Sequence, residues 1–307
     1  MIPRRLSPGD TIGVAAPSTT VQPEMEPQLQ KGLSFLRSKG FNIKLGQHIR
    51  SQGIGSATAP EQKAEDLKAF FDDPSVNAII CAQGGETANT SLSLLDWDTI
   101  RDHPKIFLGI SDITVLLNAI YQKTGLVTFH GNDILWGFGR QITTYEIAEF
   151  NRVLIKGENG RIPKNSVWTT IREGAAEGRL LGGNLGCLLK LAGTPFWPDF
   201  TDAILFIEEY EISPGGCQSA FHHLQQLGIF DQVRGVIVGY IDSMQRDAGS
   251  GPYMEDILLE VTSSCTFPIL KANDFGHNCP NTDLPVGGQV VMDAGQRIIE
   301  VTAPCVQ

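Results

Sequence analysis

Ala78-Ile-Ile-Cys-Ala-Gln-Gly-Gly85 and, further on, Lys105-Ile-Phe-Leu-Gly-Ile-Ser-Asp112 share one design: a short apolar run that stops at a turn and gives way to apolar residues at helical spacing. Leu92, Leu94 and Leu95 follow the first run, and Ile113, Leu116, Leu117 and Ile120 follow the second. The pattern extends outward in both directions. Upstream, Thr11-Ile-Gly-Val-Ala-Ala16 precedes a helical stretch through Leu29, Leu33, Phe35 and Leu36 that Gly40 stops. Phe41-Asn-Ile-Lys-Leu45 alternates as a strand does, and Thr58-x-x-Glu61 reads as a capping box before Ala64, Leu67, Phe70 and Phe71. Downstream, Leu126-Val-Thr-Phe-His130 reads as a fifth strand. Strand alternating with crossover helix predicts a parallel sheet covered on both faces, with ligands at the carboxyl ends of its strands. The loops Gln83-Gly-Gly-Glu86 and Ser111-Asp112 therefore command attention.

From about Gly131 to Glu177 the rhythm weakens, and a linker or lid is expected there. A second βα series then begins with Arg179-Leu-Leu181 and an expected Gly-Gly-Asn turn. It continues through Ala203 to Ile207, a helix over Phe221, Leu224 and Leu227, the strand Val236-Ile-Val238, a helix from Met254 to Val261, and Pro268-Ile-Leu270. Gln289 to Met292 and Arg297 to Val301 form a terminal hairpin. With 307 residues the chain has room for two domains, divided here as 1–160 and 161–307.

Composition narrows the functions. A net charge of −10, with no basic run longer than Arg4-Arg5, argues against a nucleic-acid partner. The richest apolar run, Gly235 to Ile241, is far short of the roughly 20 residues of a membrane span. Arg4-Arg5 precedes Ser7-Pro8-Gly9-Asp10 rather than an apolar stretch, so an export signal is not expected. Six scattered cysteines without a C-x-x-C pair suit free thiols in a reducing cytoplasm. Cys217 with His222 and His223 does not suit zinc, because adjacent helical residues point about 100° apart. No metal or organic cofactor is expected. Gly182-Gly-Asn-Leu-Gly186 lacks the dinucleotide spacing, and no G-K-[ST] phosphate loop exists.

Ser111 follows an apolar strand, has Gly109 two positions before it and opens a helix, which is the setting of a nucleophile elbow, although Ile113 replaces the second glycine of G-x-S-x-G. The competing reading is a serine N-cap. Gly84-Gly85 ends the strand expected beside it, so an N–H of that turn and the N–H of Asp112 would suit an oxyanion hole. A serine nucleophile needs a base and a group to orient that base. His130 and His277 stay open for the first role, and Glu208 and Glu209 for the second.

At these residues the chain resembles the LD-carboxypeptidase family of serine peptidases, which includes the microcin C immunity proteins. The resemblance runs through Pro8 to Ser18, Leu108-Gly-Ile-Ser-Asp-Ile-Thr114, Glu177-Gly-Arg-Leu-Leu-Gly-Gly-Asn184, Ile204-Leu-Phe-Ile-Glu-Glu209, Asp274-Phe-Gly-His277 and Leu284-Pro-Val-Gly287, in family order. It implies a flavodoxin-like amino-terminal domain, a mixed α/β carboxy-terminal domain and a site between them. It also implies Ser111 as nucleophile, His277 as base, Glu208 as the acid orienting it, and oxyanion donors at Gly85 and Asp112, with Gly84 against the substrate. Gln83-Gly-Gly-Glu86 departs from the Arg-Gly-Gly-Tyr frequent in muropeptide-cleaving members. The implied reaction is hydrolysis of an amide next to a free carboxyl end by a cytoplasmic homodimer. Release of the terminal D-alanine from murein tetrapeptide is the preferred reading, and cleavage of an aminoacyl-nucleotide amide is the alternative. Trp168 falls in the segment that in the immunity proteins resembles a loop with a tryptophan against the nucleobase; the other expectation is that it packs as an ordinary buried aromatic. A binding protein without turnover and an oxidoreductase are weaker readings, for want respectively of a use for the three groups and of a dinucleotide fingerprint.

Overall fold

The computed structural model describes residues 1–245 and 251–307. Its first sheet begins with β1 Thr11–Ala15, β2 Asn42–Leu45, β3 Val76–Cys81, β4 Ile106–Gly109 and β5 Thr128–His130. The second takes β6 Gly160–Arg161, β7 Thr169–Arg172, β8 Ala175–Asn184, β9 Ala203–Glu209, β10 Gly235–Ile241 and β11 Ile269–Lys271. Next, β12 Leu284–Val286 returns to the first sheet before β13 Gln289–Asp293 and β14 Ile298–Val301 complete the second.

The first sheet runs β12-β5-β4-β3-β1-β2, parallel except where β12 pairs antiparallel with β5. Strand order 2-1-3-4-5 is the flavodoxin-like winding that the family resemblance implies, built on the parallel sheet that the alternating pattern predicts. Its inner strands are covered on both faces, which is why Ile79, Ile80, Phe107 and Leu108 are fully buried in uninterrupted apolar runs. In the second sheet, β8-β9-β10-β11 are parallel neighbours, flanked by antiparallel β13 and β14 on one side and β7 on the other.

The helix Thr114–Thr124 joins the two sheets. Its Asn118 amide donates to the Gly182 carbonyl at 2.8 Å and accepts from the Gly182 N–H at 3.3 Å, while the Asn184 N–H donates to the Thr114 hydroxyl at 2.9 Å. A Cβ on Gly183 would stand 2.4 Å from that hydroxyl, so the close approach requires glycine.

Four expectations need correction. The expected boundary at 160 is crossed twice: β12 completes the first sheet, and the Arg5 N–H donates to the Gln307 carbonyl while the Gln307 N–H donates to that of Pro3, both at 2.9 Å. The expected turn at Gly182-Gly183-Asn184 is instead the end of β8, and Asn184 caps the following helix by accepting from the Cys187 N–H at 3.0 Å. Thr58 forms no capping box: Pro60 takes the first helical position, which makes Ala59 the cap and leaves Thr58 to hydrogen-bond the Gln62 side chain. The stretch after Gly131 is not a bare linker. Its π-helix Ile134–Phe138 packs on the helix Glu26–Ser38, with Phe35 and Phe138 stacked at 5.4 Å.

Candidate active site

Ser111 stands at the carboxyl end of β4 with φ +66°. A side chain in the left-handed region costs about 1–3 kcal/mol and persists where the surroundings impose it. An N-cap residue has extended backbone; here Ile110, at φ −137° and ψ 173°, holds that place, so the N-cap reading of Ser111 is set aside. The turn after β3 presses against the serine. A Cβ on Gly84 would lie 2.6 Å from the Ser111 Cβ and 3.2 Å from the Asp112 nitrogen, and Gly85 has φ +142° with the Thr19 hydroxyl where its Cβ would be.

The Asp112 carboxylate has a structural task. One oxygen accepts from the Ser18 hydroxyl at 2.6 Å and the Ala88 N–H at 2.7 Å, and the other pairs with the Lys190 ammonium at 2.6 Å. Burial alone would raise this carboxyl, but those partners outweigh it and hold it below the usual range. The loops after β1 and β3 and the segment beyond β8 are thereby tied to the Ser111 turn.

Glu208 and Glu209 are adjacent strand residues and so project to opposite faces. Glu209 is occupied in holding the next helix, accepting from the Asn184 amide at 2.7 Å and the Gly186 N–H at 2.9 Å. Glu208, fully buried, bonds His277 Nδ1 through Oε2 at 2.6 Å. Its other oxygen lies 3.7 Å from Nε2 of His130, an ion-pair spacing too long for a hydrogen bond. Glu208 thus lies between two imidazoles: His277, in the loop after β11, and fully buried His130, at the end of β5 between the rings of Phe206 and Phe275. Burial would raise the Glu208 carboxyl, yet the two histidines outweigh it and hold it at about 2. For His277 burial pulls down, but Glu208, with Glu209 and Asp133 behind it, holds the imidazole above its ordinary value.

The His277 loop is pinned from several sides. The Gly276 N–H donates to Asn281 Oδ1 at 2.8 Å, the Asn278 amide donates to Asp242 at 3.1 Å, and the Tyr240 N–H donates to the Phe275 carbonyl at 2.8 Å. Ser111, His277 and Gly84-Gly85 border one cleft of about 370 Å³, whose rim carries Trp136, Arg140 and Tyr210. A hydroxyl, an imidazole with one nitrogen fixed by a carboxylate, and a glycine turn on one cavity are the parts of an acyl-transfer site.

Other sequence candidates lie elsewhere. Trp168 does not border the cleft: it is buried, and its indole N–H donates to Asp274 at 2.6 Å. This corrects its assignment to substrate binding and fits the packing alternative. The cleft-facing tryptophan is Trp136, half-exposed, with its indole N–H on Gln83 Oε1 at 3.0 Å. Sequence reading missed it because it lies in the weakly patterned stretch, where no periodicity marks a site. His222 and His223 are on the helix Pro214–Gln226, His48 contacts Glu65, and His103 faces Asp72. Among the described residues no group of three or more His, Cys, Asp or Glu side chains is placed to hold a metal ion.

Fold and site together define an α/β serine hydrolase with its cleft between two sheets. The profile of the LD-carboxypeptidase N-terminal domain matches residues 12–131, and that of the C-terminal domain matches residues 177–292. The chain belongs to the LD-carboxypeptidase family and is a peptidase of that family. It is 32% identical to a probable murein peptide carboxypeptidase of Bacillus subtilis (strain 168), over 98% of this chain and 94% of the relative. It is 28% identical to the microcin C7 self-immunity protein MccF of Escherichia coli, over 97% of this chain and 94% of that one. The solved structure of MccF in complex with aspartyl sulfamoyl adenosine superposes with a TM-score of 0.92 at 27% identity, covering 100% of both chains. No helix among the described residues is long and apolar enough to cross a membrane.

Proposed function

We propose that Ser111 attacks the carbonyl of an amide next to a free carboxyl end. His277 takes the serine proton and returns it to the leaving amine, and Glu208 keeps its imidazole oriented and stabilises the imidazolium. The backbone N–H groups of Gly85 and Asp112 receive the oxyanion, with Gly84 against the substrate. The observation that carries this reading is that the strained Ser111 turn and His277, whose ring is held from behind by buried Glu208, come from different sheets and border one cleft.

The preferred substrate is murein tetrapeptide, cut at the L-to-D bond that releases terminal D-alanine, in the cytoplasm and by a homodimer. The murein peptide relative, 32% identical over nearly the whole chain, supports it. The second reading, cleavage of an aminoacyl-nucleotide amide, is favoured by the 0.92 superposition on MccF holding an aspartyl sulfamoyl nucleoside. Purified protein is incubated with each substrate and the products are read by mass spectrometry. Free D-alanine formed with at least tenfold higher kcat/KM than nucleotide-amide cleavage supports the first reading; the reverse ratio replaces it with the second.

A further inference from the structure

The cleft has a second lobe. A cavity of about 220 Å³ adjoins the one at Ser111, and both are bordered by Asp133, Trp136, Arg140, His277 and Asn278, whereas Ser111 borders only the larger. This volume is below the roughly 300–1,000 Å³ of sites for drug-sized ligands, so it suits a small fragment. Arg140 is the one lysine or arginine lining either lobe. Among the described residues no carboxylate lies within ion-pair distance of its guanidinium, and Asp133, on the same lobes, interacts with it only through its field; the guanidinium donates to the neutral Asn278 amide oxygen at 3.0 Å and lies 5.6 Å from the centre of the Trp136 ring. Trp136 is itself fixed by Gln83 and sits on the π-helix Ile134–Phe138. A planar cation resting on an aromatic face, with donors unspent, is prearranged for bidentate capture of an anion.

The direction of proton transfer says which fragment this lobe receives. His277 delivers its proton to the leaving nitrogen, so the leaving fragment lies beside His277, and the smaller lobe borders His277 without bordering Ser111. We propose that Arg140 is a specificity-determining residue that binds the negative group of the leaving fragment in the lobe beside His277. That group is a carboxylate on an amino acid or a phosphate-like group on a nucleotide. This assignment rests on the roles given to Ser111 and His277 above.

The test separates binding from turnover. In Ser111→Ala protein, calorimetry compares murein tetrapeptide with the same peptide ending in a carboxamide, and adenosine monophosphate serves as the phosphate probe. Charge-assisted hydrogen bonds predict about ten- to hundredfold tighter binding of the acid than of the carboxamide, a preference that Arg140→Gln abolishes and Arg140→Lys keeps in part. Loss of affinity for adenosine monophosphate alone in Arg140→Gln assigns the nucleotide source; loss of the acid preference alone assigns the peptide. A folded Arg140→Gln protein with both affinities unchanged overturns the proposal. Failure of the serine mechanism reads differently: a protein with Ser111 intact would show the Arg140-dependent preference and yet cleave neither substrate.

Discussion

The turn after β4 and the loop after β11 hold their reactive groups by opposite means. Ser111 is set by backbone: a left-handed residue between a buried strand and a helix, with Gly84 pressed against it. His277 is set by side chains, with Glu208 bonding its ring, Asn281 bracing the loop from within and Asp242 holding it from the segment after β10. A backbone device is local and fails through bulk or an altered turn, whereas a side-chain device is distributed and fails by degrees, with a signature in pH.

The largest effect expected is at the first device. Ser111→Ala should lower kcat by up to about 10⁶-fold, by analogy with another serine hydrolase, and adding His277→Ala should lower it scarcely further because the groups act as a unit. A folded Ser111→Ala protein that keeps a tenth of the wild-type rate would break the comparison at its root, since that is only about 1.4 kcal/mol of barrier. Gly84→Ala comes next. Its added methyl would fall 2.6 Å from the Ser111 Cβ, and displacing the elbow from the proposed oxyanion donors should cost about 10²–10³ in kcat. A loss below threefold, with thermal stability retained, would show that the turn is not what aims the serine.

The second device is tested by pH. In the proposed mechanism the neutral imidazole is the base, so kcat/KM should rise with pH along a limb whose midpoint lies above the ordinary histidine value of 6.5, because the negative charge of Glu208, with that of Glu209 and Asp133 farther off, favours the protonated His277 ring. Glu208→Gln removes the largest of these negative neighbours, so the midpoint should fall and the plateau rate with it. A midpoint unchanged in Glu208→Gln would leave the carboxylate a purely steric role. Smallest in activity is Trp168. Trp168→Ala should destabilise the fold by about 3–5 kcal/mol through lost packing and leave Asp274 without its indole donor, while a correctly folded fraction cleaves peptide and nucleotide amide at nearly unchanged relative rates. Thermal unfolding with side-by-side kinetics measures both. Selective loss of the nucleotide substrate would restore Trp168 to the site.

What was legible in the chain divides along the same line. The parallel sheet could be read because each buried strand is a short apolar run and each crossover helix shows its own period, whereas its 2-1-3-4-5 order was implied only by the family resemblance. Ser111 could be singled out because strand, turn and helix lie within a few residues. His130 and His277 were both open, as were Glu208 and Glu209, because nothing local distinguishes the members of either pair. Folding separated the carboxylates by strand alternation, giving Glu209 to Asn184 and Gly186, and it placed both histidines around Glu208.

The amino-acid sequence alone marked the strand–helix alternation of the first sheet, the Gly84-Gly85 turn and Ser111 as a candidate nucleophile, since each is carried by a pattern within a few consecutive residues. Tertiary structure alone decided that β12 crosses back into the first sheet, that Trp168 is enclosed while Trp136 faces the cleft, and which carboxylate meets which imidazole. Glu208 and His277 are 69 residues apart, and a bond across that distance is fixed by how two sheets pack, which no local pattern records.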